Sequence, residues 1–306
     1  MRTRHSDRTR NSNYHNIHIS GNAKVHLGDR FDSVDVFAEE WKDSLRLLKW
    51  LSFSLMHARR GMISSPFETT FEWMLSLESG NERPKSTLRS WLSSSDSLYW
   101  LRGKAGSGKS TLMKMILSPD RAKDALELWS GSHALVRLSY FFWRTGAEMQ
   151  RSREGLLRSL LHKLFLTLRN KLVTCENWWR TTPQCEKCLA GHRQWQDILQ
   201  KAFPEWSSRC DDLQPDFEEL VGAFKHLLTR KELEARIFIV IDGIDEYDGN
   251  GAQRADLVEM LLEFAQSPLV KLIISSRPEC TLEHTISRGH IANLEDLTTQ
   301  DISAFI

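Results

Sequence analysis

The chain has 306 residues, of which 41% are hydrophobic and 26% are charged, a balance typical of an ordinary globular protein. Its formal net charge of +1 argues against a nucleic-acid binder, and no apolar run approaches the ~20 residues of a membrane-spanning helix. Five cysteines in a chain of this length do not make a disulfide framework, and the charged N-terminus has no apolar segment behind it, so we expect a cytoplasmic protein.

The first 30 residues are polar and show no helical period. Within them, two pairs of apolar residues alternate with polar ones on either side of a Gly21-Asn22 turn, which is typical of a hairpin or a solenoid rung. On composition alone, residues 1–30 are predicted to be a disordered basic tail with weak β tendency.

Residues 31–97 are predicted to be a helical linker region. A mixed apolar stripe with interleaved basic residues predicts a helix that packs against the following domain rather than against a membrane. The stripe consists of Leu45, Leu48, Leu51, Phe53, Leu55 and Met56. The apolar spacing over residues 71–77 predicts a second helix, and residues 86–92 predict a short third one.

A glycine-rich motif, G-x-x-x-x-G-K-S, occupies residues 103–110, and the rest of the chain is organised around it. Glycine has no Cβ, so this backbone can take positive φ and turn its N–H groups toward a phosphate. Lys109 could then reach the β- and γ-phosphates, and the Ser110 hydroxyl could ligate Mg²⁺. The predicted nucleotide-binding residues are Gly103, Lys104, Ala105, Gly106, Ser107, Gly108, Lys109, Ser110 and Thr111.

The elements around this motif alternate between strands and helices. Apolar runs predict strands at residues 98–101, 134–143, 237–241 and 270–274. Helical spacing predicts helices at residues 111–117, 152–164, 195–203, 216–228 and 257–264. Such alternation over some 200 residues predicts an α/β fold with three layers and a central parallel sheet, here a domain of residues 98–306.

Carboxylates follow the third predicted strand. Five consecutive apolar residues end at Asp242, as in a central parallel strand that is buried on both faces. A carboxylate in this position lies beside the crevice where ligands bind, so Asp242 is predicted to hold Mg²⁺ together with Ser110. Asp245 and Glu246 are predicted to orient or activate a water for attack on the γ-phosphate.

The fourth predicted strand ends in Ser275-Ser276-Arg277-Pro278. Arg277 therefore lies at the same edge of the predicted sheet, where its guanidinium could contact the γ-phosphate and report its presence. The alternative is an ordinary surface arginine, since one sequence does not fix the direction of its side chain.

These motifs together resemble a NACHT-type member of the signal-transducing (STAND) P-loop NTPases, in the version common in fungi and similar to the nephrocystin-like N-terminal domain. The matching stretches are residues 70–73, 103–111, 140–146, 155–161, 242–246, 275–278 and 297–302. The resemblance implies an NLR-like switch that holds ADP at rest, oligomerises with ATP and hydrolyses ATP slowly. It also implies self-association or a protein effector, and a role in fungal non-self recognition or programmed cell death.

Two further features concern the ends of the chain. Residues 23–29, Ala-Lys-Val-His-Leu-Gly-Asp, resemble one copy of the amyloid signalling motif of the HET-s prion-forming domain, whose repeats stack as a β-solenoid. The resembling family continues into a winged-helix region and WD40, ankyrin or TPR repeats. This sequence stops at Ile306 within a predicted helix, so we expect a form truncated after the NTPase core.

Two other functions compete with the switch. One is a non-enzymatic adaptor that templates assembly of a partner through its N-terminal segment, and the other is a small-molecule phosphoryl transferase, which would need a lid that the sequence does not show.

Cys185 and Cys188, with Cys175 and His192 nearby, have some likeness to a zinc site. Only one C-x-x-C is present and the other spacings are irregular, which favours free thiols.

Overall fold

The computed structural model describes residues 42–65, 71, 74–75, 87–172, 186–206, 214–230, 233–278, 286 and 289–295. The predictions for residues 1–30, for most of the helix at 71–77 and for residues 297–302 lie outside these ranges. Cys175, Cys185 and the side chain of Cys188 lie outside them as well. Among the described residues, no group of three His, Cys, Asp or Glu side chains is placed to bind a metal.

Five strands form one parallel sheet. They are β1 (Leu98–Arg102), β2 (Ala134–Phe141), β3 (Ala235–Asp242), β4 (Val270–Ser276) and β5 (His290–Asn293). Their order across the sheet is β2-β3-β4-β1-β5, and every neighbouring pair is parallel. Strand β4 therefore separates β1 from β3, and all carboxyl ends lie along one edge.

Helices cover both faces of this sheet. Their bounds are residues 42–51 (α1), Ala58–Met62 (α2), Thr87–Ser93 (α3), Lys109–Ile116 (α4), Lys123–Ser130 (α5), Arg153–Leu172 (α6), Glu186–Ala202 (α7), Phe217–Thr229 (α8) and Gly251–Phe264 (α9). Short 3₁₀ turns lie at Glu148–Gln150 and Ile244–Glu246. In the described part of the chain, no helix has both the length and the hydrophobicity needed to cross a bilayer.

The alternation of side chains along each strand creates two hydrophobic cores. On β3, Ile237, Ile239 and Ile241 join the core formed with α1, α6, α7, α8 and α9. Phe238 and Val240 point to the opposite face and join the core formed with α3, α4 and α5. The predicted three-layer α/β fold with a central parallel sheet is therefore confirmed.

Most predicted elements are found, with small shifts at their ends. The predicted strand at 134–143 ends at Phe141, and the helix expected at 195–203 begins earlier, at Glu186. The apolar stripe predicted for residues 45–56 is partly wrong, because Leu45 is 48% exposed and Leu55 56% exposed. The inward face of α1 is formed instead by Ser44, Leu47, Trp50 and Leu51.

Gly155, in the first turn of α6, allows this helix to approach the 3₁₀ turn at Glu148–Gln150. A Cβ at Gly155 would lie 1.7 Å from the carbonyl oxygen of Met149, which also accepts a hydrogen bond from the Tyr140 hydroxyl at 2.5 Å. Gly155→Ala is expected to lower the free energy of unfolding by about 2–3 kcal/mol, because α6 must move away from β2. Urea denaturation of both proteins measures this loss.

Gly222 provides a matched control within another helix. Gly222 lies in α8, and a Cβ there would meet no atom within 4 Å. Gly222→Ala is expected to raise the free energy of unfolding by ~0.5–1 kcal/mol, because alanine loses less backbone entropy in a helix. Equal effects of the two substitutions would contradict the proposed close approach at Gly155.

Lys271 is a fully buried lysine on β4. Its Nζ donates hydrogen bonds to the carbonyls of Trp91 (2.8 Å), Ser94 (3.0 Å) and Asp96 (2.6 Å), which lie in the last turn of α3 and just after it. It also lies 4.4 Å from the centre of the Trp91 ring. Burial lowers the pKa of Lys271 from 10.5 to about 8. The buried amine thus holds the α3–β1 connection against the sheet.

Lys271→Met is expected to lower the free energy of unfolding by about 2 kcal/mol at pH 7, because carbonyl acceptors lose their donor. The wild type should gain stability relative to this variant as pH rises from about 8 toward 10.5. In that window the folded protein has released a proton that the unfolded chain still holds. Urea unfolding at pH 7, 8 and 9 measures the difference, and a difference that shrinks with pH would contradict this prediction.

Candidate functional site

The candidate site lies at the carboxyl edge of the sheet, where β1, β3 and β4 end. The glycine-rich loop (residues 103–108) follows β1 directly and leads into α4. The N–H of Gly103 donates to the carbonyl of Ser276, the last residue of β4, at 3.2 Å. The first residue of the loop is therefore fixed against the neighbouring strand.

Two glycines give the loop its curvature. Gly106 has φ +76° and Gly108 has φ +92°, in the left-handed region that other residues rarely adopt. Gly108 is also the N-cap of α4. A Cβ on Gly108 would lie 2.9 Å from the ring of Phe71. The loop thus requires glycine at Gly108 for both its backbone conformation and its packing.

Lys109, the first residue of α4, folds back over the loop. Its Nζ donates to the carbonyls of Gly103 (2.5 Å) and Lys104 (2.7 Å). Burial lowers the pKa of Lys109, and the nearby carboxylates of Asp245 and Asp242 oppose this effect. The ammonium group therefore stands at the mouth of the loop, between backbone carbonyls and the acidic end of β3.

Asp242 is the last residue of β3, and its side chain is almost completely buried. The Ser275 hydroxyl donates to its Oδ1 at 2.6 Å, and the Ser110 side chain lies near enough to the same carboxyl group to favour its charged form. Burial raises the pKa of Asp242, while the two serines and the positive charge of Arg59 oppose the rise. Ser110 and Asp242, the predicted metal-binding pair, thus line the same cavity.

Asp245 and Arg277 form an ion pair. Arg277 Nε lies 3.2 Å from Asp245 Oδ2, and the Arg277 backbone N–H donates to Oδ1 at 3.0 Å. The Asp245 side chain is 7% exposed and that of Arg277 is 52% exposed. Asp245 therefore fixes the start of the segment after β4. Glu246 accepts a hydrogen bond from the Arg144 backbone N–H at 3.0 Å.

These groups surround one cavity of about 290 Å³. It is lined by Arg59, Ala105, Gly106, Ser107, Gly108, Lys109, Ser110, Thr111, Asp242, Gly243, Asp245, Glu246 and Arg277. All predicted site residues except Gly103 and Lys104 line the cavity, and these two provide the carbonyls that hold Lys109. The structure thus brings the whole predicted set together.

Three contributors to the site were missed by the sequence analysis. Ser275 bonds Asp242, Glu295 accepts a hydrogen bond from the Lys104 backbone N–H, and Arg59 lines the cavity from α2. Ser275 ends a strand beside β3, so its position could have been found from the same argument as Asp242. No spacing signal connects Arg59 or Glu295 to the loop.

The residues present fit a magnesium nucleotide. The Ser107 hydroxyl is buried and has no hydrogen-bond partner among the described residues, so a donor or acceptor from a ligand would satisfy it. A hydroxyl and a carboxylate, as in Ser110 and Asp242, are the oxygen donors that Mg²⁺ prefers. The loop N–H groups at a helix N-terminus form a cradle for an anion.

Comparison with known proteins gives one match. The family model described as "Nephrocystin 3, N-terminal" matches residues 70–277, a range that contains the glycine-rich loop, Asp242 and Arg277. Comparisons with curated proteins and with solved structures gave no match.

Proposed function

The chain belongs to the nephrocystin 3 N-terminal family, whose model covers more than half of its length, and we propose that it is an ATP- and ADP-binding signalling switch. The observation that carries the proposal is that Ser110 and the buried Asp242 carboxylate line one cavity with the glycine-rich loop. Ser110 lies in the first turn after the loop and Asp242 at the end of β3, although β4 lies between β1 and β3 in the sheet. The alternative is that residues 103–110 form a glycine- and serine-rich turn that binds nothing. Such a turn would not need a buried carboxylate opposite its serine.

In this proposal the loop backbone binds the phosphates and Lys109 provides the opposing charge. Within the described part of the chain, the Lys109 ammonium donates to two carbonyls of the loop and forms no ion pair, so it can turn to a phosphate oxygen without breaking one. Ser110 and Asp242 would hold Mg²⁺, and the raised pKa of Asp242 reflects a desolvated carboxyl that a cation would stabilise in its charged form. Mg²⁺, when bound, supplies charge neutralisation at the phosphate oxygens.

Hydrolysis is proposed to be slow and to reset the switch. Glu246 and Asp245 both line the cavity, and they could orient a water toward the terminal phosphate. Asp245 is already paired with Arg277, whereas Glu246, among the described residues, accepts a hydrogen bond from the Arg144 backbone N–H and forms no ion pair. We therefore assign the water to Glu246, and we assign Asp245 the placement of Arg277.

The signalling role follows from a change of ligand. ADP and ATP differ by a phosphate that Arg277 could contact through the part of its guanidinium that remains exposed. A ligand shifts the balance between two conformations only by its different affinity for them. The residues near the γ-phosphate therefore determine how ATP and ADP differ in their effect on the conformation. The resemblance to signal-transducing NTPases extends the proposal to non-self recognition or programmed cell death.

The nucleotide content of the purified full chain tests the proposal. Tightly held ADP, released by denaturation and identified by chromatography, is expected for the switch. A preparation without nucleotide that also gives no heat on titration with ADP or ATP and Mg²⁺ would overturn it. Consumption of ATP only in the presence of a small-molecule phosphate acceptor would favour a phosphoryl transferase instead.

A further inference from the structure

The N-terminal arm (residues 42–65) contributes to the nucleotide cavity, although it precedes the glycine-rich loop by about 40 residues. Arg59, in the first turns of α2, lines the same cavity as Lys109, Asp242 and Glu246. Its neighbour Arg60 is exposed and does not line it. One residue of the arm is therefore directed at the site.

Arg59 has a buried donor without a hydrogen-bond partner in the described part of the chain. This donor is its Nε, and its guanidinium lies 5.9 Å from the centre of the Trp143 ring. No carboxylate of the described chain forms an ion pair with it, whereas Asp245 partly neutralises Arg277. An anion in the cavity would supply the missing partner.

Arg59 lies on the metal side of the cavity. Its positive charge acts on the Asp242 carboxyl, which faces Ser110. In the proposed binding mode, Ser110 and Asp242 would hold the metal, which would neutralise charge on the outer phosphates of ATP. Arg59 lines the same cavity as this pair, so it could reach the terminal phosphate of a nucleotide held there.

The arm is anchored to the core on the N-terminal side of Arg59. Arg158 of α6 donates to the last carbonyls of α1 and just beyond it, at Trp50 (2.5 Å), Leu51 (3.2 Å) and Ser52 (2.9 Å). Gln150 donates to the carbonyl of Leu55 at 3.0 Å. A buried arginine that satisfies three helix-end carbonyls holds the arm in one position.

The arm is also anchored on the C-terminal side of Arg59. Lys114 of α4 donates to the carbonyl of Ile63, whose side chain is buried. Helix α4 begins at Lys109, so the same helix carries the proposed phosphate-binding lysine and holds the arm. A shift of α4 on nucleotide exchange would reach the arm through this contact.

We propose that Arg59 contacts the terminal phosphate of ATP and thereby couples the presence of that phosphate to the position of the N-terminal arm. The inference rests on the proposed nucleotide binding and adds its regulation. ATP brings one more negative charge than ADP to a cavity where Arg59 has no ion-pair partner among the described residues. The arm directly continues the segment that precedes residue 42, so this contact connects nucleotide state to the N-terminal end of the chain.

Calorimetry on the full chain tests the contact. Arg59→Gln is expected to weaken Mg²⁺-ATPγS binding about tenfold, or ~1.4 kcal/mol, and ADP binding by less than about threefold. Arg59→Lys should restore part of the ATPγS affinity, because it restores the charge. Arg60→Gln is the matched control and should change neither affinity.

Hydrogen exchange tests the coupling to the arm. In the wild type, ATPγS should slow amide exchange in residues 42–65 relative to ADP, and Arg59→Gln should abolish this difference. If Arg59→Gln weakens both nucleotides equally, or lowers the melting temperature without nucleotide and Arg59→Lys does not recover the ATPγS affinity, its role is structural and the inference is wrong.

The two proposals fail in different ways. If the wild type binds neither nucleotide, the proposed function fails and the inference fails with it. Suppose instead that the wild type binds nucleotide and the Lys109→Ala variant does not. If the Arg59→Gln variant then binds both nucleotides as the wild type does, only the inference fails.

Discussion

Lys109→Ala is expected to lower the affinity for Mg²⁺-ATP by ~100-fold or more, about 2.7 kcal/mol, while the protein remains folded. The loss follows from the removal of a half-buried ammonium that faces the glycine-rich loop. Its present acceptors, the carbonyls of Gly103 and Lys104, lie at the start of that loop and can bond water once the side chain is gone. Charge-assisted bonds to phosphate are about twice as strong as neutral ones, so no backbone N–H replaces this lysine.

Titration calorimetry of the wild type and the variant measures the effect, with circular dichroism as the test of folding. Lys123→Ala is the matched control, because Lys123 is exposed at the start of α5 and does not line the cavity. Unchanged ATP affinity in a folded Lys109→Ala protein would remove the basis for nucleotide binding at this loop.

The core of the site was predictable because three strands carry strong sequence signals. β3 and β4 are buried on both faces and contain long apolar runs, so their limits and the polar residues after them stand out in the sequence. In a parallel sheet those ends share one edge, which places Asp242 and Arg277 near the loop without knowledge of the strand order. The order itself, with β4 between β1 and β3, followed only from the structure.

Elements with weak hydrophobic signals were missed. β5 has four residues, His290–Asn293, and lies at the edge of the sheet, where its side chains are exposed or half-buried. Such a strand is held by backbone hydrogen bonds to β1 rather than by an apolar run. Periodicity therefore does not identify it.

The face of α1 was misjudged for a different reason. The prediction followed leucines, including Leu45, but the buried face includes Ser44, whose hydroxyl accepts a hydrogen bond from the Trp195 indole at 2.8 Å. A polar residue satisfied by a distant tryptophan has no signature in a local pattern. The same limit applies to Arg59, since its place in the cavity depends on tertiary contacts of the whole arm.

The carboxylates at the end of β3 are expected to support different steps, so replacing each one with its amide should affect either nucleotide binding or hydrolysis. Asp242→Asn should weaken Mg²⁺-dependent ATP binding by ~30-fold or more, because the amide lacks the charge that stabilises a divalent cation. In the absence of Mg²⁺ the variant and the wild type should bind ATP within about threefold, since the Ser275 hydroxyl can still donate to the amide oxygen. Calorimetry with Mg²⁺ and with a chelator separates these cases.

Glu246→Gln should instead leave ATP affinity within about threefold and slow single-turnover hydrolysis by ~100-fold, as expected for loss of a general base. The glutamine oxygen can still accept the Arg144 N–H, so the side chain stays in place and only its basicity is lost. Asp245→Asn should also retain binding and slow hydrolysis less, because it weakens the ion pair that positions Arg277. If all three variants lose ATP binding equally, metal binding and water orientation are not assigned to separate carboxylates. The acidic end of β3 would then act as one electrostatic unit, in which the charge of each carboxylate supports the cation.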